Sequence, residues 1–327
     1  MASGGNLPYQ LRPNKAVERL LFVDLLSIFD HELHIGRDYG YFGFGGPQME
    51  DFRLLHERFA QMQMISIEKE EAVIKRQRFN EPHTNVKCQR KNSGEFIRSF
   101  RPKTPVIVWL DYTEPAPRPQ QIAEFQTLLR RVPAGSIIKI TLNANSASLG
   151  GPPGPGLQAA RLEKFLHDFR RCLPVGFGEE GVTSDEFPLS LLKVLDYAAT
   201  EALKNKKEWR FQPLTSSVYA DGQKMLTVTG IVGTREAVRD WSEYPELKRW
   251  FFYRPKWETP VLIEVPELTL KERIHINQLL PELEKNIGEI HRKLGCWVDL
   301  NLEDSERKLK NYVAFHRHYP HFGKVAI

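Results

Sequence analysis

Glycines cluster at residues 41–47, where an aromatic segment gives way to an amphipathic one. The segment reads Tyr-Phe-Gly-Phe-Gly-Gly-Pro, and its glycines are Gly43, Gly45 and Gly46. Glycine lets a backbone approach a ligand closely, and a helix that starts after such a turn offers unpaired N–H groups to an anion or a polar tail. The segment is therefore a candidate ligand-binding loop. A structural turn that requires a positive φ is the alternative interpretation.

A single acid, Glu68, stands at the end of the next predicted strand. Its separation from Gly43 is close to the roughly 20-residue offset at which an acid binds a ribose in dinucleotide folds. A carboxylate suits two neighbouring hydroxyl groups. Glu68 could equally cap the helix that is predicted to begin at Glu70.

Asp111 and Tyr112 end the most apolar run of the chain, residues 105–111 and the position after it. Polar groups after buried parallel strands line the ligand crevice of open α/β sheets, and Asp111 could accept a proton there. Together with Asn143 and Asn145 it could also offer oxygen ligands to Mg²⁺. The two asparagines are equally suited to bonding their own loop, and no metal ligand is assigned.

Strands and helices that alternate along the chain must position these residues. Apolar and β-branched runs predict strands at residues 39–44, 64–68, 84–88, 105–111 and 136–142. Helical periodicity predicts helices at residues 11–29, 70–79, 93–100, 120–131, 158–171 and 188–205, with one more that carries Met49, Phe52, Leu55 and Phe59 on one face. Such alternation gives a parallel sheet covered on both faces, and the fully apolar run at 105–111 should be its central strand.

Residues 209–219 and 224–232 read as a hairpin joined through Asp221 and Gly222. The predicted fold class is therefore α/β, with a Rossmann-like, doubly wound, mostly parallel sheet that ends in an antiparallel hairpin. This domain would span residues 1–234. Residues 235–327 form a predicted C-terminal α/β appendage of unclear role.

The elements predicted within the appendage are a strand at residues 260–265 and helices near 270–280 and 281–294. Residues 149–156, rich in glycine and proline, are predicted as a loop that could act as a lid. His316, His318 and His321 are interpreted as part of a C-terminal tail rather than a metal site.

The glycine loop and Glu68 resemble the first motif and the ribose-binding acid of class I S-adenosylmethionine-dependent methyltransferases. The resemblance covers roughly residues 39–232 and includes the reversed final strand of that superfamily. The whole chain also resembles proteins described as putative O-methyltransferases. The cofactor-binding residues that the resemblance implies are Gly43, Gly45, Gly46, Glu68, Asn92 and Ser93.

The resemblance implies that the glycines contact the methionine part of S-adenosylmethionine, that Glu68 binds its ribose, and that Asn92 or Ser93 lies near the adenine. Asp111 and Tyr112 would then be the catalytic residues that face an unidentified oxygen or nitrogen acceptor. Two alternatives stay open. One is a non-catalytic Rossmann-like module that binds a nucleotide or a partner; the other is an NAD-linked oxidoreductase, although Gln48 occupies the final glycine position of that motif.

The chain of 327 residues has a formal charge of +5 and a pI near 9.0. A nucleic acid or a protein could therefore be a partner, and residues 248–257 interleave bases with aromatics that are otherwise typical of a core. Arg12, Asn14, Lys15 and Arg19 could reach a cofactor carboxylate, but surface charges on a helix are the favoured interpretation. Three separated cysteines, the polar residues 1–6 and the absence of long apolar runs predict a cytoplasmic protein without a membrane span.

Overall fold

The computed structural model describes residues 12–173 and 176–319. The predictions made for residues 1–6 and for His321 lie outside these ranges. The described strands, in chain order, are β1 (Gly40–Gly43), β2 (Gln63–Glu68), β3 (Val86–Arg90), β4 (Val106–Asp111), β5 (Ile137–Asn143), β6 (Trp209–Asp221), β7 (Gln223–Thr234) and β8 (Val261–Ile263).

All eight strands belong to one sheet, in the order β3-β2-β1-β4-β5-β7-β6-β8. Strands β1 to β5 run parallel, whereas β7 pairs antiparallel with both β5 and β6. The predicted α/β class, the five parallel strands and the terminal hairpin are confirmed. The hairpin turns at Gly222, whose φ of +99° is a conformation that glycine adopts without strain.

Helices cover both faces of the sheet and most of the C-terminal segment. They are α1 (Pro13–Leu33), α2 (Ile35–Asp38), α3 (Glu50–Arg58), α4 (Glu71–Phe79), α5 (Ser93–Ser99), α6 (Arg118–Arg131), α7 (Leu157–Phe169), α8 (Phe187–Leu203), α9 (Arg235–Ser242), α10 (Pro245–Arg249), α11 (Leu270–Leu279), α12 (Ile287–Leu294) and α13 (Leu302–Phe315). None of the described helices has the length and apolar character that crossing a bilayer requires.

Strand β4 is central, as predicted, and is buried on both faces. Val108 and Leu110 point into a core shared with α6 and α8, whereas Ile107 and Trp109 point into a core shared with α1 and α3. The alternation follows from the strand period of two, because successive side chains leave opposite faces of a sheet.

The C-terminal segment contributes β8 to the sheet, where Ser217 of β6 lies opposite Val261 in a parallel pair. Its helices share a third core with α1 and the hairpin; this core includes Leu21, Met225 and Tyr312. The division of the chain near Arg235 stays a prediction.

Helix α13 corrects the interpretation of the C-terminal region as a tail. The side chain of Asn301 accepts a hydrogen bond from the Asp304 amide and caps the helix, and Leu309, Tyr312 and Val313 are buried at helical spacing. His318, just beyond the helix, lies 2.5 Å from a carboxylate oxygen of Asp24 in α1. The spacing of Leu309, Tyr312 and Val313 in the sequence is the local signal for this helix.

Candidate functional site

The sheet brings the sequence-predicted site residues to one edge. Gly43 ends β1 opposite Ser66 of β2 and Trp109 of β4, so Glu68 and Asp111 end the two neighbouring strands two residues further on. After β1 the chain continues to β2 on one side in the strand order, whereas after β4 it continues to β5 on the other side. The position between β1 and β4 is therefore a switch point in strand order. Ligands bind in the crevice at such switch points, outside the carboxyl ends of the strands.

The glycine loop follows β1 and leads into α3. None of Gly43, Gly45 and Gly46 has a positive φ, so the interpretation as a turn that requires one is wrong. A Cβ on Gly43 would collide with the Tyr41 hydroxyl, and a Cβ on Gly45 would collide with Ser66 Oγ. A Cβ on Gly46 would meet no atom of the described residues within 4 Å. Neither the backbone conformation of Gly46 nor its packing against the described residues therefore requires glycine, and the space beside it is wide enough for a ligand to approach the backbone.

The carbonyl groups of the glycine loop are bound by α4. Gln77 Nε2 donates to the carbonyl oxygen of Gly45, and Asn80 Nδ2 donates to that of Pro47 at 2.8 Å. The amides of Gly45 and Gly46 donate no hydrogen bond to any residue that the structure describes. The loop thus has its acceptors satisfied by the protein and donors that a ligand could use.

Glu68 lies at the end of β2, half-buried, and its Oε1 accepts a hydrogen bond from the Glu70 amide at 2.8 Å. The capping interaction that the sequence suggested therefore exists. Glu70 itself provides no side-chain cap for α4, so Glu68 satisfies an otherwise unpaired amide at the helix start. The role of Glu68 in ribose binding stays a prediction.

Asn92 and Ser93 begin α5 after β3. Asn92 Oδ1 accepts from the Glu95 amide at 2.9 Å, and Glu95 Oε2 accepts from the Asn92 amide at 3.1 Å, which together form a capping box. The Ser93 hydroxyl contacts Tyr112 at the end of β4. The start of α5 therefore lies beside Tyr112, on the side of the crevice where the methyl acceptor is expected. The placement of adenine near Asn92 or Ser93 stays a prediction.

Tyr112 is buried, and its hydroxyl donates a hydrogen bond of 2.5 Å to Glu124 of α6. Burial and the Glu124 carboxylate raise the pKa of Tyr112 well above its usual value, so the phenol stays neutral and serves as a donor. Its ring packs edge-on against Phe44 of the glycine loop, at 5.6 Å between centroids. Tyr112 thereby couples β4, α6 and the loop.

Asp111 meets Arg19 of α1. Arg19 Nη2 lies 3.3 Å from Asp111 Oδ2, and Arg19 Nε lies 2.9 Å from Asp51 Oδ1 at the start of α3. Asp111 Oδ1 is buried and has no hydrogen-bond partner among the described residues. A buried carboxylate oxygen without a partner is costly unless a ligand or a proton donor occupies the space beside it.

A second buried ion pair, between Lys139 and Glu18, lies next to Arg19. Lys139 of β5 is completely buried, with Nζ 2.7 Å from Glu18 Oε1 and 3.5 Å from the centre of the Trp109 ring. Burial is the main cause that lowers the pKa of Lys139 to about 8, and the same effect lowers the pKa of Lys15 to about 8.

The interpretation of the α1 charges as surface charges is wrong. Asn14, Lys15 and Arg19 are all buried, and only 1% of Arg19 is exposed. Helix α1 lies against the sheet, where Arg19 pairs with Asp51 of α3 and Asp111 of β4. Both acids are distant from α1 in the sequence. One signal was present: Lys139 interrupts a buried apolar strand, and a buried lysine requires a counter-charge.

The two asparagines after β5 bond their own loop, which was the alternative to a metal site. Asn143 Oδ1 accepts from the Asn145 amide at 3.1 Å and from Arg118 at 3.3 Å, while Asn145 Oδ1 accepts from the Ala147 amide at 3.0 Å. Because these oxygens are engaged and Asp111 faces Arg19, the side chains do not fit a Mg²⁺ site.

The basic aromatic stretch at residues 248–257 is partly core. Phe252 is buried and its ring stacks on Phe315 at 5.3 Å, whereas Phe251 is 67% exposed. Leu247, just before the stretch, packs beneath α1 in the same core as Trp109. The core interpretation holds for Phe252, and contact with nucleic acid stays a prediction.

Three solved structures resemble the chain at low identity. The plantazolicin methyltransferase BamL, in complex with a triazolic desmethylPZN analog and SAH, is 15% identical and has a TM-score of 0.37; the match covers 68% of this chain and 88% of that one. The N-methyltransferase NodS from Bradyrhizobium japonicum WM9 is 11% identical with a TM-score of 0.35, over 66% and 96%. A putative caffeoyl-CoA O-methyltransferase from Staphylococcus aureus is 13% identical with a TM-score of 0.33, over 64% and 83%.

No curated protein sequence matches the chain. A family model described as putative O-methyltransferase matches residues 7–327, which is nearly the whole sequence. The match confirms the resemblance to methyltransferases that the glycine loop and Glu68 first indicated. The chain therefore belongs to the family of putative O-methyltransferases.

Proposed function

We propose that the protein is an S-adenosylmethionine-dependent methyltransferase whose cofactor binds across the glycine loop at the β1–β4 switch point. The observation that carries the proposal is Gly46. Its backbone conformation and surroundings would admit other residues, yet it stands beside amides that no described residue binds. A glycine with open space beside it and an amide that no described residue binds, in a chain of this family, supports cofactor binding at this loop.

The cofactor would extend from the glycine loop towards β2 and β3. Gly43, Gly45 and Gly46 would contact its methionine part, and Glu68 would accept hydrogen bonds from the ribose. The half-buried Glu68 carboxylate is suited to this because only its Oε1 is used by the Glu70 amide in the described contacts. The adenine would lie towards Asn92 and Ser93, at the start of α5.

S-Adenosylmethionine, when bound, would supply an activated methyl group to a nucleophilic acceptor, with its sulfur–methyl bond breaking and S-adenosylhomocysteine leaving. The acceptor would approach Asp111, because β4 ends beside the loop. As an acceptor hydroxyl bonds to the methyl group, its proton would pass to Asp111 Oδ1, which is the carboxylate oxygen without a described partner. Arg19 would hold the other oxygen, Oδ2, and so keep the carboxylate fixed. The family description supports an oxygen acceptor, and an amine would lose its proton in the same way.

Among the described residues, the cluster around Asp111 contains both acids and bases. The acids Glu18, Asp51 and Asp111 face the bases Lys15, Arg19 and Lys139. A cationic cofactor beside Asp111 would therefore meet a carboxylate already neutralised by Arg19. Arg19 and Asp111 together form a fixed dipole rather than a free negative charge. Charges that are already fixed before the reaction limit the free energy needed to reorganise the site.

A non-catalytic module that binds a nucleotide or a partner is the second candidate. One observation favours it: the side chains of Glu68 and Asn92 both serve helix starts, as structural residues would. The two candidates differ at Asp111, since a binding module has no use for a proton acceptor.

Calorimetric titration of the purified protein with S-adenosylmethionine, S-adenosylhomocysteine and NAD tests the proposal. We expect the first two to bind and NAD not to bind. Asp111→Asn should keep the affinity for S-adenosylhomocysteine within about threefold. It should abolish transfer of labelled methyl groups from S-adenosylmethionine to the small molecules and macromolecules of a cell extract. Wild-type protein that binds only NAD or nothing would contradict the proposal, and unchanged transfer by Asp111→Asn would contradict the role of Asp111.

A further inference from the structure

Gln77 of α4 is completely buried and connects three parts of the site. Its Oε1 accepts a hydrogen bond of 3.1 Å from Ser66 Oγ in β2, and its Nε2 donates to the carbonyl oxygen of Gly45 and, at 3.5 Å, to that of Gly46. An amide side chain supplies a donor and an acceptor, and both are used here. Reversing the amide would set its oxygen against two carbonyl oxygens, so the bonds fix its orientation.

The bonds to α4 determine which way the glycine loop faces. The Gly45 carbonyl is held by Gln77, the Pro47 carbonyl by Asn80, and the Gly46 carbonyl by the Met49 amide at 3.1 Å as well as by the longer contact with Gln77. The N–H and C=O of a trans peptide point in opposite directions, so the Gly46 amide, which shares its peptide with the Gly45 carbonyl, points away from Gln77. Packing allows Gly45 little room, because a Cβ there would approach Phe52 to 3.0 Å and Met49 Sδ to 3.1 Å besides colliding with Ser66. A backbone amide that no described residue binds is available to an anion or a polar group.

We propose that Gln77 is a positioning residue that holds the glycine loop in its cofactor-binding conformation. The inference rests on the proposed function and adds a determinant outside the loop itself, on the helix between β2 and β3. Gln77 would touch no cofactor atom. It would act through the carbonyls of Gly45 and Gly46, with Asn80 as a second and weaker support one helical turn further on.

Three variants test the inference. Gln77→Leu removes the bonds to Ser66, Gly45 and Gly46 while keeping a side chain of similar size. Gln77→Glu keeps the shape of the side chain but places a carboxyl group beside the loop carbonyls. A carboxyl group can donate a hydrogen bond to them only while it is protonated. Asn80→Ala removes the second support and keeps the protein testable if the buried change prevents folding.

Gln126→Leu is the matched control. Gln126 of α6 also donates its side-chain amide to a main-chain carbonyl, that of Ala198 at 3.1 Å, and it lies on the helix that packs against α8. The same substitution there removes the same type of bond away from the glycine loop.

The readouts are affinity for S-adenosylhomocysteine by calorimetry and amide hydrogen exchange of the loop peptide. We expect Gln77→Leu to weaken binding at least about tenfold, Asn80→Ala to weaken it about threefold, and Gln126→Leu to leave it unchanged. Exchange of the loop peptide should become faster in Gln77→Leu and Asn80→Ala and should be unchanged in Gln126→Leu. Gln77→Glu should regain affinity as the pH is lowered, in contrast to the wild type.

Two outcomes distinguish a failure of the positioning role of Gln77 from a failure of the proposed function. If the wild type binds S-adenosylhomocysteine and Gln77→Leu binds it equally well, or if Gln126→Leu weakens binding as much, the positioning role is wrong and the proposed function stands. If the wild type binds neither S-adenosylmethionine nor S-adenosylhomocysteine, the proposed function fails and this inference fails with it.

Discussion

Arg19 Nη2 lies 3.3 Å from Asp111 Oδ2, so a base of helix α1 fixes the acid at the end of the central strand. The same guanidinium reaches Asp51 at the start of α3 with Nε. The buried Arg19 side chain thus connects α1 with the end of β4 and the start of α3. Helix α1 is therefore part of the site and not only a cover for the sheet.

Arg19→Ala should destabilise the protein strongly, because it removes the guanidinium that lies within 3.4 Å of the carboxylates of Glu18, Asp51 and Asp111. Breaking a buried ion pair from one side costs about 3–5 kcal/mol of unfolding free energy. Urea unfolding at neutral pH measures this. The control is Arg37→Ala, whose pair with Asp38 is exposed, and it should leave the unfolding midpoint unchanged. Equal midpoints for the two variants would contradict the buried network.

The stability of the protein should depend on Lys139 in a defined pH window. Burial lowers the pKa of Lys139 to about 8, from 10.5 in the unfolded chain, so between these values the unfolded state binds more protons than the folded state. Stability contributed by this group therefore rises as the pH increases from about 8 towards 10, by up to about 1.4 kcal/mol per pH unit. At lower pH both states are protonated and the contribution is constant.

The comparison that isolates this effect is wild type against Lys139→Met. Titrations of other groups, such as the buried tyrosines, occur in both proteins and cancel in the difference. The free energy of unfolding of the wild type minus that of the variant should increase between pH 8 and pH 9.5 by about 1.5 kcal/mol. A difference that stays flat or falls would show that Lys139 is not desolvated as described.

Glu68→Gln separates the capping role from cofactor binding. The variant keeps an oxygen for the Glu70 amide but loses the negative charge that two ribose hydroxyls would favour. We expect affinity for S-adenosylhomocysteine to fall about tenfold, which is ~1.4 kcal/mol, with little change in thermal stability. Glu272→Gln, in the capping box of α11, is the matched control. A loss of stability without a loss of affinity would leave Glu68 as a cap alone.

Tyr112→Phe should act on stability more than on cofactor affinity. It removes the hydroxyl that donates to the buried Glu124 and keeps the ring that packs on Phe44. An acceptor left without its donor costs about 1–3 kcal/mol. Tyr312→Phe, which removes a buried-ring hydroxyl bonded to Asn277 away from the site, is the control for denaturant unfolding. A large loss of affinity in Tyr112→Phe alone would mean that the hydroxyl itself contacts the ligand.

The sequence predicted the sheet well because strand and helix periods are local. The run that became β4, the Asp-Gly turn at Asp221 and Gly222, and the helix starts after each strand are all visible within a few residues. Because parallel strands end at one edge, the positions of Gly43, Glu68 and Asp111 near one another also followed from the sequence. Boundaries were less accurate, as in α1, which continues to Leu33.

What the sequence did not reveal depends on contacts between distant residues. Arg19 reads as a surface charge until Asp51 and Asp111 are placed beside it, and Gln77 reads as a polar helix residue until the loop carbonyls are found against it. No local pattern encodes such partners. Lys139 within a buried strand was the one residue whose environment could have been questioned from the sequence.

Gly46→Val is the most direct test of whether a cofactor binds beside Gly46. A Cβ at this position would meet no atom of the described residues within 4 Å, so we expect the variant to fold, and Gly288→Val, at a glycine of α12 whose nearest such atom is 4.0 Å away, is the control. Calorimetric titration with S-adenosylhomocysteine should show binding by the wild type and the control, and at least about tenfold weaker binding by Gly46→Val. Wild-type affinity in a folded Gly46→Val protein would contradict the account.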